Sequence, residues 1–90
     1  ARRGPVWAAW APGPPGGPPR VAYAVSRKAG GAVVRNRIRR RLRAVVATTP
    51  LPPGDLLISA APPAATIPFC ELRAAVAEAV NAVHPAASAP

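Results

Sequence analysis

The chain predicts an α+β fold, two helices packed on a small mixed sheet in the order β-β-α-β-α. Three observations carry this. Residues 5–11, 20–26 and 55–61 are short apolar runs of strand length. Two longer stretches, one running to Ala47 and one following Thr66, repeat apolar residues every three or four positions, as amphipathic helices do. Segments rich in Pro and Gly punctuate the chain between them.

In the first strand, PVWAAWA (5–11), alternation sets Trp7 and Ala9 on one face and Val6, Ala8 and Trp10 on the other. PGPPGGPP (12–19) supports neither helix nor pairing and reads as a connector. RVAYAVS (20–26) is the second strand, alternating Val21, Tyr23 and Val25 with small residues, and it is expected to form a long-looped hairpin with the first. After Gly30 and Gly31 a helix of about 16 residues follows, with Val34, Ile38, Leu42 and Val45 as its apolar stripe. TTPLPPG (48–54) ends it. DLLISAA (55–61) is a third strand whose unbroken apolar centre points to an interior place in the sheet. Thr66 is the expected N-cap of the last helix, and Phe69, Leu72, Val76, Val80 and Val83 its core stripe. Residues 1–84 make one domain, and 85–90 are expected to be a disordered tail.

Ninety residues bury only about 60–65% of their unfolded surface, and most of the apolar half is Ala and Val, so the core should be thin. No apolar run approaches the roughly 20 residues needed to span a bilayer. Arginines followed by apolar residues at the start resemble a signal peptide, but Pro5, Pro12, Pro14 and Pro15 argue against that helical reading. The single cysteine, Cys70, cannot form an internal disulfide and fits a reducing, cytoplasmic setting; it is expected to be a buried or half-buried small hydrophobe.

Charge is the strongest signal. Twelve Lys+Arg stand against 3 Asp+Glu, a net +9. Arg20, Arg27, Lys28, Arg35, Arg37, Arg39, Arg40, Arg41 and Arg43 form a block without one acid. A merely solvated helix face would carry Glu at i, i+4 to relieve the repulsion. A membrane-surface or calmodulin-type helix is the rival, but here the apolar stripe is needed to cover the sheet. A polyanion such as nucleic acid fits best, and arginine suits bidentate phosphate contacts. Trp7, Trp10 and Tyr23 are candidates for stacking on unpaired bases, with at least one Trp expected in the core. His84, at a helix end, favours the negative helix terminus. One His and one Cys cannot make a zinc site, and no nucleophile–base set or carboxylate pair is apparent. Side-chain catalysis is not expected.

The stretch RVAYAVSRKAGGAVVRNRIRRRLRAVV (20–46) resembles the protein subunit of bacterial ribonuclease P. The resemblance rests on a strand, SRK, a Gly pair, RNR at Arg35-Asn36-Arg37 and the continuation IRRRLR, and it extends over residues 5 to about 83. It implies a basic subunit of an endoribonuclease whose catalytic RNA, using magnesium ions, removes 5′ leaders from precursor tRNA. By position, Arg27, Lys28, Arg35, Asn36, Arg37, Arg39, Arg40 and Arg43 would contact RNA, and Trp7 and Tyr23 are candidates for leader stacking. The implied partners are the catalytic RNA and precursor tRNA, with the protein a monomer in the ribonucleoprotein, no membrane, and no cofactor held by the protein alone. The resemblance also implies a left-handed βαβ crossover around the RNR helix, where chain physics favours right-handed. The family's basic N-terminal helix is expected to be missing. The strand aromatic of its leader cleft aligns with Ala9, whose face Trp7 shares. Gly31 replaces a common Asn and is acceptable at an N-cap. The alternative is another basic module, a ribosomal or DNA-binding protein laying the arginine helix in a groove.

Overall fold

The structure is a computed structural model and describes residues 1–14 and 16–83. His84 and the expected tail at 85–90 lie outside the described residues. Strands β1 (Arg2–Arg3), β2 (Val6–Ala11), β3 (Arg20–Ala24) and β4 (Asp55–Ala60) form one mixed sheet ordered β1-β2-β4-β3. Helix α1 spans Ala32–Val46 and α2 spans Phe69–Val83, with short 3-10 turns at Arg27–Ala29 and Pro62–Ala65. No helix among the described residues is long and apolar enough to cross a membrane.

The expected hairpin between β2 and β3 does not form. Strand β4 lies between them, antiparallel to β2 and parallel to β3. The Pro-rich connector cannot make a tight turn, and it is long enough to carry the chain past an intervening strand. The most continuously apolar strand thereby gains partners on both edges, as its composition requires. Strand β1, a two-residue extension at the opposite edge, has no apolar alternation to announce it.

Val6 and Ala8 of β2 and Leu56 and Ile58 of β4 point into a core closed by Ile38, Leu42 and Val45 from α1 and Leu72, Val76 and Val80 from α2. Both helices therefore cover one face. The hand of the β3–α1–β4 connection follows from L-chirality. Ala8 turns its side chain to the helices while its N–H donates to the Ala1 carbonyl on the β1 side. Seen from the helices with β2 running upward, β1 is then on the right and β4 on the left, with β3 beyond it. The crossover is left-handed, against the general preference.

Four local expectations change. Thr66 closes the second 3-10 turn, its N–H donating to the Pro63 carbonyl, and does not cap α2. Pro68 disfavours a helical conformation at Ile67, and the Pro68 carbonyl accepts from Glu71 and Leu72 to start the helix. Phe69 is 42% exposed because it is the first helical residue, one turn outside the packed stretch that begins at Leu72. Cys70 is exposed on the outer side of α2 beside Glu71 and Arg73. Val34 remains 36% exposed at the start of α1, above the core that begins with Ile38.

Candidate nucleic-acid interface

Helix α1 starts at Gly31, an extended N-cap residue without a side-chain cap bond. Before it, Gly30 has φ 137°, and a Cβ there would lie 3.0 Å from Val34 Cβ. That position demands glycine on both counts. The apolar stripe then fixes the rotation of the helix, and with it the direction of every arginine.

The arginines divide into distinct groups. Arg41 lies half-buried toward the second 3-10 turn, donating to the Ala64 carbonyl at 2.6 Å and to the Ile67 carbonyl. Arg37 and Arg40 are exposed. Arg39 donates to the Asn36 side-chain oxygen at 3.2 Å. Arg43 holds its guanidinium 5.7 Å from the Tyr23 ring centroid. Arg35 is half-buried, and its Nε is buried with no hydrogen-bond partner among the described residues. Val33, Asn36, Arg39, Arg40 and Arg43 border one shallow concavity on the outer side of α1.

Among the described residues the one ion pair is Arg20–Asp55, so no acid neutralises this surface. Arg20 and Asp55 face each other in register, and the guanidinium grips both carboxylate oxygens at 2.7 and 2.8 Å. The hydrogen bond from Arg20 holds the Asp55 carboxyl below its usual range and raises Arg20 in turn. Arg20 therefore leaves the set of unpaired cations. Like-charged pairs at i, i+4, such as 35/39, 39/43 and 37/41, each cost a helix about 0.2–0.5 kcal/mol. The core stripe outweighs that cost, and a bound polyanion would remove it.

The opposite face of the sheet is a second surface. Register sets Trp7, Ser59 and Ala24 in one row and Ala9, Leu57 and Ala22 in the next. The small side chains leave a shallow floor, with Trp7 at one border and Leu57 45% exposed. At the C-terminal ends of β3 and β4 it deepens into a concavity bordered by Trp7, Ser26, Lys28 and Ser59. Trp10 points to the core side, half-buried, and its indole N–H donates to the Pro53 carbonyl at 2.9 Å. Tyr23 also packs on the core side, so Trp7 and Tyr23 do not share a stacking platform. Partial burial raises the Tyr23 phenol above its ordinary value, while Arg43 pulls the other way.

A sequence model of the family Ribonuclease P matches residues 5–84. The chain belongs to the ribonuclease P protein family. It is 50% identical over 73 residues to the ribonuclease P protein component of Kocuria rhizophila, covering 73% of this chain and 65% of that one. The corresponding protein of Thermobifida fusca is 46% identical over 77 residues, covering 80% and 52%. The chain thus spans between half and two thirds of the length of these relatives. The solved structure of the Staphylococcus aureus RNase P protein superposes with a TM-score of 0.61 at 26% identity, covering 83% of this chain and 68% of the other. The α+β architecture with two helices on a mixed four-stranded sheet is therefore a ribonuclease P protein fold. Arg35-Asn36-Arg37, Arg27 and Lys28 all fall inside the matched residues, whereas Arg2 and Arg3 lie outside them. Arg2 lies 4.6 Å from the Trp7 ring centroid, a contact that was not legible in the sequence, where two arginines in a row carry no sign of a strand.

Proposed function

We propose that this chain serves as the protein component of ribonuclease P, assisting endonucleolytic maturation of tRNA 5′ ends. Arg35, Asn36, Arg37, Arg39, Arg40 and Arg43, with Arg27 and Lys28 from the preceding turn, bind the catalytic RNA subunit. The unpaired 5′ leader of precursor tRNA lies along the outer face of the sheet, beside Trp7. The protein works as a monomer within the ribonucleoprotein, in the cytoplasm. The observation that carries this reading is a family match over residues 5–84 on a chain whose arginine helix meets no acid among the described residues.

Hydrolysis in this reading belongs to the RNA and to magnesium bound by it. Among the described residues no three His, Cys, Asp or Glu side chains gather, and Asp55 is held by Arg20. The protein's contribution is electrostatic and positional. It neutralises phosphates on two RNA segments that would otherwise repel each other, so less magnesium is needed for the same complex.

Reconstitution with the catalytic RNA and a precursor tRNA tests the proposal. Addition of the protein should stimulate leader removal at low magnesium, and the protein alone should not cleave. Preference for duplex DNA, with no stimulation of the RNA, would instead support a groove-binding module.

A further inference from the structure

Arg43 is held in place without an acid. Its side chain makes no hydrogen bond or ion pair among the described residues, and its guanidinium lies over the Tyr23 ring, 5.7 Å from the centroid. Tyr23 is itself fixed. Its backbone pairs in register with Ile58, and its half-buried ring packs against the core from the edge strand β3. The phenol oxygen has no hydrogen bond among the described residues, so the contact belongs to the ring.

A ring differs in kind from the partner of Arg20. Arg20 commits its donors to both oxygens of Asp55, which also neutralises its charge. An aromatic face attracts a guanidinium through its quadrupole, carries no net charge and occupies no N–H. Arg43 therefore keeps its charge and its donors while its side chain loses freedom. A side chain restricted beforehand has less entropy to lose on binding. Arg43 and Arg39 border the same concavity on the outer side of α1, one helical turn apart, and Arg39 is held by Asn36. Both anchors are uncharged.

We propose that Tyr23 is a positioning residue for Arg43, its ring holding the guanidinium at the border of this concavity with donors free for a phosphate of the catalytic RNA. This rests on the proposal that α1 binds that RNA. Tyr23 acts through Arg43 and need not touch the RNA.

Titrations of the catalytic RNA with single and double variants test this as a double-mutant cycle. Tyr23→Leu keeps an apolar side chain in the packed position but removes the aromatic face, and it should weaken binding about 2- to 5-fold. Tyr23→Phe should bind as the parent does. Arg43→Gln should weaken binding and make the slope of log K against log salt shallower by about 0.7–0.9. In the Arg43→Gln background, Tyr23→Leu should have no further effect. An equal loss from Tyr23→Leu in both backgrounds would reveal a role in the fold alone and overturn the proposal. So would a Tyr23→Phe protein as weak as Tyr23→Leu, or an Arg43→Gln protein that binds like the parent. Nuclear magnetic resonance on the parent supplies a test that needs no folded variant. Ring current should shift the Arg43 δ-methylene protons upfield of those of Arg40, in the free and RNA-bound protein, and unshifted protons would overturn the proposal. If the parent still stimulates leader removal beside any of these failures, the proposed function stands and only this inference falls.

Discussion

Arg41 donates to the Ala64 carbonyl at 2.6 Å, so an arginine in the middle of the cationic block belongs to the fold. Its second bond, to the Ile67 carbonyl, ties α1 to the segment that leads into α2. Replacing Arg41 with Ala should cost about 2–3 kcal/mol, because two partly buried carbonyls lose a charged donor. A urea titration followed by circular dichroism measures this. RNA affinity of the still-folded fraction should fall by little more than the loss of one distant charge.

Arg41 also marks where the sequence stopped being informative. Helical periodicity sets it at an edge of the apolar stripe, but nothing local says that a 3-10 turn 23 residues later presents its carbonyls there. The same limit applies to the sheet. Alternation in β2 sends Val6 and Ala8 inward and Trp7 outward, as local geometry dictates, whereas the insertion of β4 between β2 and β3 is a non-local choice. Ile38 and Leu42 were legible as core because each has neighbours in the stripe on both sides, and Val45 continues the same stripe to its buried end. Phe69 was not legible as exposed, since periodicity does not reveal where a helix overhangs its sheet. The arginine block was plain from charge alone, but its division into exposed members, the Tyr23-contacting Arg43 and the structural Arg41 required the third dimension.

Gly54 should prove intolerant of any side chain. It is buried at φ 119°, and a Cβ there would meet the Trp10 indole nitrogen and lie 2.8 Å from the Ala11 carbonyl oxygen. Gly54→Ala therefore combines backbone strain with displacement of Trp10 from its bond to Pro53. The expected loss is about 2–4 kcal/mol, measured as a lower urea midpoint, with altered tryptophan emission in the native baseline. A midpoint within error of the parent would contradict this geometry.

Tyr23 is the chain's single tyrosine, so its phenolate absorbance can be followed without interference from another phenol. Its folded value is raised because burial disfavours the phenolate more than Arg43 favours it. A raised value makes the contribution to stability full below the unfolded pKa of about 10 and lost as pH rises through the folded one. Titration near 295 nm should give a midpoint above that of the urea-unfolded chain, and stability should decline over the same alkaline window. A native midpoint at or below the unfolded one would mean that Arg43 dominates.

The two sides of α1 can be separated by mutation. Arg37 is exposed, and the Arg35 Nε has no partner among the described residues, so Arg35→Ala with Arg37→Ala removes charge without opening the core. Charged hydrogen bonds are typically worth about 1.5–3 kcal/mol each, so affinity for the catalytic RNA should fall more than about a hundredfold. The slope of log K against log salt, expected near −4 to −5 if roughly six cations meet phosphates, should become shallower by about 1.4–1.8. Folding should survive, or improve slightly as like-charge repulsion at 35/39 and 37/41 is relieved. Ile38 is fully buried beneath the same turns, and Ile38→Ala should act in the opposite sense. The cavity it leaves should cost roughly 2–4 kcal/mol of stability, while RNA affinity measured well below the melting temperature stays close to that of the parent. Thermal melts and RNA titrations on both variants decide the assignment. An arginine variant that unfolds, or that binds as tightly as the parent, would show that Arg35 and Arg37 serve the fold and that the RNA surface lies elsewhere.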